Sequence, residues 1–276
     1  MYHRGLPQPK RSEVTGSLVM SSPFTSKTLS FLRSLKRNNN RDWFRSRKRQ
    51  YEAHVREPMI ELLARLAIDL PSFAPELISD PRVSLYRIYR DTRFSTDKKP
   101  LKTHIAAHFP AKGFARNEGA GLYLEIAPAW VWIGGGMYMP SSSDLRAIRE
   151  HIAVNHRRLH RLVTGHVFTH AVGELDGERL SRIPQGYAKD HPGGEYLRFK
   201  QFLAGRQFEA ELAVRDRFYA QVLTIFRAVA PLARFLNAPL LGQRRAVTHM
   251  SIWKDATPPP DRRQIERHRA ARASTP

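Results

Sequence analysis

A predicted β-hairpin in the middle of the chain constrains the fold more than any other feature of the sequence. Two segments rich in β-forming residues, 121–126 and 130–133, lie on either side of Ala127-Pro128-Ala129. Proline fixes its own φ angle and is common in turns, so this tripeptide is expected to reverse the chain. We therefore predict an antiparallel sheet with a central hairpin over about 121–138.

The register of the hairpin decides which side chains share a face of the sheet. If residue 126 pairs with residue 130, Glu125 lies on the same face as Val131 and Ile133. The opposite face then carries apolar side chains as well. We therefore expect other elements of the fold to cover the sheet on both sides.

Apolar residues at helical spacing precede and follow the hairpin. They predict helices between 25 and 38, over 44–70 and 144–163, near 195–204 and over about 211–236. Thr25 and one of Asn38-Asn39-Asn40 are candidate helix caps, and Pro58 predicts a kink or the start of a new helix. Val83–Tyr89 alternates like a strand. Helices before and after an antiparallel sheet indicate an α+β fold, because a parallel sheet would alternate strands with helices.

Composition divides the chain into three parts. Residues 1–22 lack periodicity and predict a disordered N-terminal extension, with Met20 as an alternative start. Residues 23–253 contain no linker or repeat and predict a single α+β domain. Residues 254–276 begin with three prolines after Thr257 and continue as a basic stretch, which predicts a disordered tail.

Several short motifs occur in the order found in an uncharacterised bacterial family. They are FL at 31–32 with Leu35, NNNRDWF at 38–44, YRIYRDTRFS at 86–95, PLKT at 100–103 after Lys98, GLYLE at 121–125, GGG at 134–136, IPQGY at 183–187 and DHP at 190–192. On these motifs the chain resembles domain of unknown function 2461 over about 24–238. Leu101 departs from the pattern, where an aromatic residue is more usual. The resemblance implies the extent of a domain and carries no activity.

The composition is basic and lacks cysteine. The chain has 46 Lys and Arg against 25 Asp and Glu, a formal net charge of +21 at pH 7. The lack of cysteine excludes disulfides, iron–sulfur clusters and cysteine-bearing zinc sites. No apolar run approaches the length of about 18 residues that a membrane span needs, so we expect a cytoplasmic protein with no membrane partner. The charge favours an anionic partner such as nucleic acid, whereas a compositional bias toward arginine would explain it without any function.

A dense group of charged and hydroxyl side chains lies between residues 87 and 103. If this segment is extended, the odd-numbered residues from Arg87 to Arg93 project from one face. Arginine and hydroxyl donors suit phosphate and carboxylate groups, so the group is the first candidate for ligand binding. The candidate ligand-binding residues are Arg87, Arg90, Asp91, Arg93, Ser95, Asp97, Lys98, Lys102 and Thr103. The alternative is an Arg/Asp ion-pair network that holds a loop over the sheet.

Glu125 is the second candidate, because the predicted register gives it apolar neighbours. A buried carboxylate without a partner is costly, so we expect a cationic partner. The available partners are Arg87, Arg93, His104 and His108. If Glu125 has a structural role, it forms a buried Glu–Arg pair. If it is catalytic, it is a general base with a raised pKa, and His104 is the second candidate for proton transfer.

Metal and cofactor motifs are weak in this sequence. His104 and His108 are four residues apart and could join Glu125 in a two-His, one-carboxylate set, but no spacing links the three. We therefore predict no metal site. The chain lacks the glycine patterns and the lysine of the common nucleotide-binding loops, and it lacks a Gly-x-Ser-x-Gly elbow, so no cofactor is predicted.

Three functions remain open at this point. The first is binding of a phosphate-bearing ligand, such as nucleic acid, by the group between residues 87 and 103. The second is an enzyme acting on a small anionic metabolite, which predicts that Glu125, Arg93 and His104 converge in one concave pocket. The third is a non-catalytic interaction module whose charge is compositional, which predicts scattered cations and no pocket.

Overall fold

The structure, a computed structural model, describes residues 21–93, 96–115 and 118–251. Its strands are β1 (Ile105–Phe109), β2 (Gly121–Ile126), β3 (Trp130–Met137) and β4 (Phe202–Glu209). They form one antiparallel sheet in the order β1-β2-β3-β4. The α-helices are α1 (Ser26–Arg37), α2 (Arg41–Ser46), α3 (Lys48–Tyr51), α4 (Glu57–Asp69), α5 (Pro81–Ser84), α6 (Ser142–Thr164), α7 (His166–Val172), α8 (Gly194–Leu197) and α9 (Phe218–Ser251). The predicted α+β class is confirmed.

The helices before the sheet begin and end where polar and proline residues indicate. The Thr25 N–H donates to Thr28 Oγ1 at 3.1 Å at the start of α1, and Asn40 Oδ1 accepts from the Trp43 N–H at 2.8 Å at the start of α2. A π-helical segment, Glu52–Arg56, then precedes α4, in which Pro58 occupies the first turn. Proline is tolerated there because the first N–H groups of a helix have no intrahelical partner.

The turn of the central hairpin is shorter than the predicted register assumes. The Ala127 N–H donates to the Trp130 carbonyl oxygen at 2.8 Å, which leaves Pro128-Ala129 as a two-residue loop. Ile126 therefore pairs with Val131 and not with residue 130. The hairpin is confirmed, but its predicted register was wrong by one residue.

This shift changes the surroundings of Glu125. Glu125 pairs with Trp132, so the two side chains share a face of the sheet. Val131 and Ile133, the predicted neighbours, lie on the opposite face. A shift of one residue has this effect because successive side chains of a strand point to opposite faces.

One face of the sheet is buried against α9, and the other is partly open. The buried face carries Leu122, Leu124, Ile126, Val131 and Ile133, all fully buried. Next to them, the ring of Phe109 packs against Phe226 of α9 with 5.0 Å between ring centroids. On the opposite face Tyr123, Glu125 and Trp132 remain partly exposed. The expectation that the sheet is covered on both sides was therefore wrong.

The predicted strand Val83–Tyr89 is not a regular strand. Its first two residues end α5, which begins at Pro81 and is capped by the Asp80 carboxylate. The following residues are extended but form only isolated bridges, from Leu85 and Tyr89. Proline in the first helical turn after an aspartate is a helix-start signal, and here it outweighs the alternating pattern.

The predicted helix near 195–204 is mostly not helical. Helix α8 ends at Leu197, and β4 begins at Phe202 and pairs with β3 along its whole length. Apolar residues on either side of this junction occur at helical spacing, which explains the error. The hydrogen-bond ladder with β3 makes the extended form the more stable one.

A hydrophobic core runs through the described part of the chain from Phe24 to Leu240. None of the helices in that part has the length and apolarity that a membrane crossing requires. The predicted extension 1–22, apart from its last two residues, and the predicted tail 254–276 lie outside the described residues.

Asn237 of α9 joins this helix to the start of β2. Its side chain is 3% exposed. Its Oδ1 accepts from the Ala120 N–H at 2.7 Å, and its Nδ2 donates to the Ala120 carbonyl oxygen at 2.8 Å. One side chain therefore satisfies both buried backbone groups of the residue before Gly121.

Replacing Asn237 by leucine should lower the free energy of unfolding by about 2–4 kcal/mol, because both polar groups of Ala120 lose their partner in a buried position. Urea denaturation followed by circular dichroism measures the change. Asn38→Ala is the control, since the Asn38 amide donates to the Ser34 carbonyl oxygen at an exposed position. That variant should lose less than about 1 kcal/mol. An equal loss in both variants would contradict the role given to Asn237.

Candidate functional site

Four of the eight charged side chains between residues 87 and 103 form ion pairs with one another. Arg90 Nη1 lies 2.7 Å from Asp97 Oδ2, and Arg93 Nη2 lies 2.7 Å from Asp91 Oδ2. Hydrogen bonds from Arg93 lower the pKa of Asp91 to about 2, and those from Arg90 lower the pKa of Asp97. These two pairs form the Arg/Asp ion-pair network that was the alternative to a ligand-binding site.

The other members of the predicted group differ in what they contact. Lys98 Nζ donates to a backbone carbonyl oxygen of the same loop at 3.1 Å. Ser95 lies outside the described residues, and Thr103 is half-buried. Arg87 is exposed, forms no salt bridge with any described residue, and lines a cavity together with Lys102. Only these two cations of the group face that cavity.

Backbone hydrogen bonds place Arg87 beside Lys102. The Lys102 N–H donates to the Ile88 carbonyl oxygen at 2.8 Å, which joins the two extended segments. The Asn39 side chain fixes the second segment, because it donates to the Leu101 carbonyl oxygen at 2.8 Å and accepts from the Leu101 N–H at 3.1 Å. Ile88 is buried between exposed neighbours, as the predicted alternation requires.

The cavity that contains Arg87 has a volume of about 600 Å³. We call it the basic pocket. It is lined by Phe44, Lys48, Tyr51, Glu52, Arg56, Pro81, Leu85, Tyr86, Arg87, Ile88, Tyr89 and Lys102. Four of these side chains are cations, and Glu52 is the one carboxylate among them. Arg56 Nη1 lies 3.3 Å from Glu52 Oε2, so Glu52 is already paired within the pocket.

Aromatic rings form much of the remaining wall of the basic pocket. The ring of Phe44 lies 5.2 Å from that of Tyr51 and 5.9 Å from that of Tyr89, both edge-on. Burial is the main cause that raises the pKa of Tyr51 to about 12. The Tyr51 hydroxyl is therefore neutral at pH 7. A pocket with excess cations and neutral rings is suited to an anion that carries an apolar or planar group.

A second cavity, of about 410 Å³, lies on the open face of the sheet. We call it the aromatic pocket. It is lined by Tyr86, Lys102, His108, Gly121, Tyr123, Glu125, Trp130, Trp132, Gly135, Gly136, Tyr138 and Leu203. Tyr86 and Lys102 line both cavities, and Lys102 Nζ lies 4.6 Å from the centroid of the Tyr86 ring. The two pockets therefore adjoin each other at this cation–ring pair.

Glycines on neighbouring strands make room for the rings of the aromatic pocket. A Cβ atom at Gly205 would lie 2.3 Å from the Trp132 ring, and one at Gly134 would lie 2.7 Å from it. A Cβ atom at Gly121 would lie 2.5 Å from His108 Nε2. Since real Cβ atoms do not approach other atoms so closely, only glycine lets Trp132 and His108 lie where they do.

Glu125 is held by two neighbours at the edge of the aromatic pocket. The Tyr123 hydroxyl donates to Glu125 Oε2 at 2.6 Å, and His104 Nδ1 lies 3.0 Å from Glu125 Oε1. Burial lowers the pKa of His104, Glu125 opposes that shift, and Lys102 adds to it. Burial also raises the pKa of Tyr123. Burial therefore favours the neutral form of His104, whose Nδ1 lies within ion-pair distance of the carboxylate.

The expected partners of Glu125 are resolved by this geometry. Glu125 takes His104 as its partner, and not an arginine, so the expected Glu–Arg pair does not form. Arg93 pairs with Asp91 on the exposed loop, so the predicted convergence of Glu125, Arg93 and His104 brings together only the first and the last.

The two-His, one-carboxylate set also does not form. In the described ranges no group of three or more histidine, aspartate and glutamate side chains is placed to hold a metal ion. His104 lies against Glu125, whereas His108 lies over Gly121 in the aromatic pocket.

Sequence reasoning missed several residues that line the two pockets. Trp132 had a usable signal, because glycines at 134–136 follow it closely and Gly121 lies on the neighbouring strand. Lys48 and Arg56 had none, since their position beside Arg87 depends on the packing of α3 and the π-helical segment against a distant loop.

Comparison with protein-family models matches residues 27–235 to the conserved hypothetical protein family DUF2461. The matched range includes every residue that lines the basic pocket and the aromatic pocket. It agrees with the resemblance carried by the sequence motifs. A search of curated proteins finds no match.

The titration of His104 should respond in opposite directions to its two charged neighbours. In the wild-type protein His104 should titrate below its usual pKa of 6.5. Glu125→Gln should lower the midpoint further because a favourable negative charge is lost, and Lys102→Met should raise it. The chemical shift of the His104 ring proton measured by NMR across pH gives the midpoint, with Lys99→Met as an exposed control that should leave it unchanged.

The same shift predicts a stability change with pH. Because the pKa of His104 is lower in the folded than in the unfolded chain, its contribution to stability is complete above about pH 6.5 and is lost as the pH falls through the folded pKa. In the NMR titration, a higher His104 midpoint in Glu125→Gln than in the wild-type protein would contradict the placement of His104 beside Glu125.

Proposed function

We propose that this chain, which belongs to the DUF2461 family, binds a phosphate-bearing ligand in the basic pocket. The observation that carries the proposal is the state of Arg87. Its guanidinium is exposed beside a cavity and has no ion-pair partner among the described residues, while Lys48 and Lys102 line the same cavity. A guanidinium can hold two phosphate oxygens at once, and the two ammonium groups add charge around them.

The pairing within the loop narrows the predicted site. Arg90 and Arg93 already hold carboxylates, so a ligand that recruited either one would have to displace Asp97 or Asp91. We assign these four side chains, with Lys98, to the support of the loop that positions Arg87.

The size of the pocket limits the ligand. A cavity of about 600 Å³ accommodates a small phosphate-bearing molecule or one unit of a nucleic acid strand. Such ligands are abundant in the cytoplasm, which is the location we propose for the protein.

A second candidate function is proton transfer in the aromatic pocket. It is favoured by the surroundings of Glu125, which accepts a hydrogen bond from Tyr123, lies 3.0 Å from His104 Nδ1 and lines a cavity. Carboxylates and histidines are the side chains that most often transfer protons in enzymes. In this reading, the basic pocket binds an anionic metabolite and Glu125 or His104 moves a proton on it.

Arg87→Met should weaken the binding of pyrophosphate about tenfold, because the unpaired guanidinium is lost from the pocket. Isothermal titration calorimetry at low salt measures the affinity. Arg93→Met removes the same charge from the same loop at a side chain already paired with Asp91, so it should leave the affinity within about twofold. The wild-type affinity should also fall as salt is added. Equal effects of the two substitutions would point to bulk charge in place of a site.

Binding of a labelled DNA distinguishes a nucleic-acid ligand from a small phosphate-bearing molecule. A fluorescein-labelled single-stranded DNA should bind with an affinity that falls steeply with salt if nucleic acid is the ligand. Undetectable binding of the DNA at low salt would exclude nucleic acid as the ligand. If neither the DNA nor pyrophosphate binds, the proposal fails and the compositional account of the charge is favoured.

The enzymatic candidate predicts turnover of a bound ligand. Each phosphate-bearing compound that binds should be incubated with the protein and followed by NMR of its phosphorus and carbon-bound protons. Loss of a signal or exchange of a proton, slowed about 100-fold or more by Glu125→Gln, would support it. Recovery of every ligand unchanged would favour a binding function.

A further inference from the structure

We propose that the aromatic pocket holds the base of a nucleotide whose phosphate lies in the basic pocket, and that Glu125 selects guanine. This inference rests on the proposed function and names the class of ligand. It starts from the arrangement of the cavities, because Tyr86 and Lys102 line both. A single ligand can therefore reach from one to the other past Lys102, whose ammonium group lies over the Tyr86 ring.

The aromatic pocket is built for a planar group. The rings of Tyr123 and Trp132 lie 5.8 Å apart, and Tyr86 approaches Tyr123 at 6.3 Å. The glycines at 134 and 205 leave the space that the Trp132 ring occupies over the sheet. Aromatic side chains around an open cavity offer stacking surfaces to a nucleobase, and stacking contributes about 1–3 kcal/mol per base.

Glu125 supplies the polar contact that distinguishes one base from another. A carboxylate has about four acceptor positions. The Tyr123 hydroxyl uses one of them on Oε2, and His104 Nδ1 lies 3.0 Å from Oε1. Guanine presents two adjacent N–H donors, on N1 and on the 2-amino group, which match the two oxygens of a carboxylate. Adenine places an acceptor beside its amino group, so it faces the same carboxylate with a lone pair.

The charges of the two pockets also fix the direction of the ligand. A phosphate near Glu125 would be repelled, whereas a phosphate near Arg87 and Lys48 meets excess positive charge. The base is therefore directed toward Glu125, and the phosphate toward Arg87.

The test compares GMP, IMP and AMP with pyrophosphate by isothermal titration calorimetry at one salt concentration. IMP differs from GMP only in lacking the 2-amino group. We expect GMP to bind about tenfold more tightly than IMP or AMP. Glu125→Gln should abolish this preference without weakening the binding of pyrophosphate. Glu174→Gln, a matched substitution at an exposed carboxylate outside both pockets, should change neither.

Trp132→Leu gives an independent test of stacking. It should weaken the binding of all three nucleotides about tenfold without changing the affinity for pyrophosphate. If either variant fails to fold, as judged by circular dichroism, the preference of the wild-type protein for GMP over IMP decides the question alone.

The outcomes separate this inference from the proposed function. If pyrophosphate binds and GMP, IMP and AMP bind equally, the selection of guanine is overturned and the phosphate site stands. If the nucleotides bind no more tightly than pyrophosphate, the aromatic pocket takes no base. If pyrophosphate does not bind, the proposed function is overturned and this inference with it.

Discussion

The packing of one face of the sheet against α9 determines what the other face contains. Because side chains alternate along a strand, burying Leu124 and Ile133 on the α9 side places Glu125 and Trp132 on the open side. A slip of one residue would bring the Glu125 carboxylate into the hydrophobic core, where it would be costly without a partner. The register is therefore held by the core, and the aromatic pocket follows from the register.

The glycines of the sheet turn this open face into a cavity. Ordinary side chains at 121, 134 and 205 would fill the space that the rings of His108 and Trp132 occupy. Gly136 has in addition a φ of +125°, a conformation that other residues rarely adopt. The carbonyl oxygen of Phe202 on β4 would lie 2.0 Å from a Cβ atom at this position. The close approach of β3 and β4 thus depends on glycine at the point where the pocket wall forms.

Local patterns predicted the elements well and their long-range contacts less well. Three predictions depend on neighbouring residues and are confirmed: a cap among Asn38-Asn39-Asn40, which is Asn40, a kink or new helix at Pro58, which is a new helix, and the central hairpin. The register failed because it depends on whether the turn contains two residues or three. Strand β4 was missed because its extended form is stabilised by β3, about seventy residues earlier in the chain.

In the candidate site, too, the residues could be predicted from local sequence but their long-range contacts could not. The cations between residues 87 and 103 were visible in the sequence, but which of them are paired was not. In the folded chain Asp91 forms a salt bridge with Arg93, and Asp97 forms one with Arg90. Arg87 forms no salt bridge with a described residue. The sequence also could not place Lys48 beside Arg87, because Tyr89 and Leu101 come into contact with the first helices only in the folded chain.

Because Glu125 lies beside His104 and not beside Arg87, each of the two adjoining pockets keeps its own charge. Had Arg87 paired with Glu125, as one expectation allowed, the basic pocket would have lost its unpaired guanidinium. A histidine whose neutral form is favoured by burial lies against the carboxylate and does not cancel its charge. Negative charge therefore persists in the aromatic pocket next to excess positive charge in the basic pocket, with Lys102 at the boundary. Such a field favours ligands with an anionic end and a hydrogen-donating end.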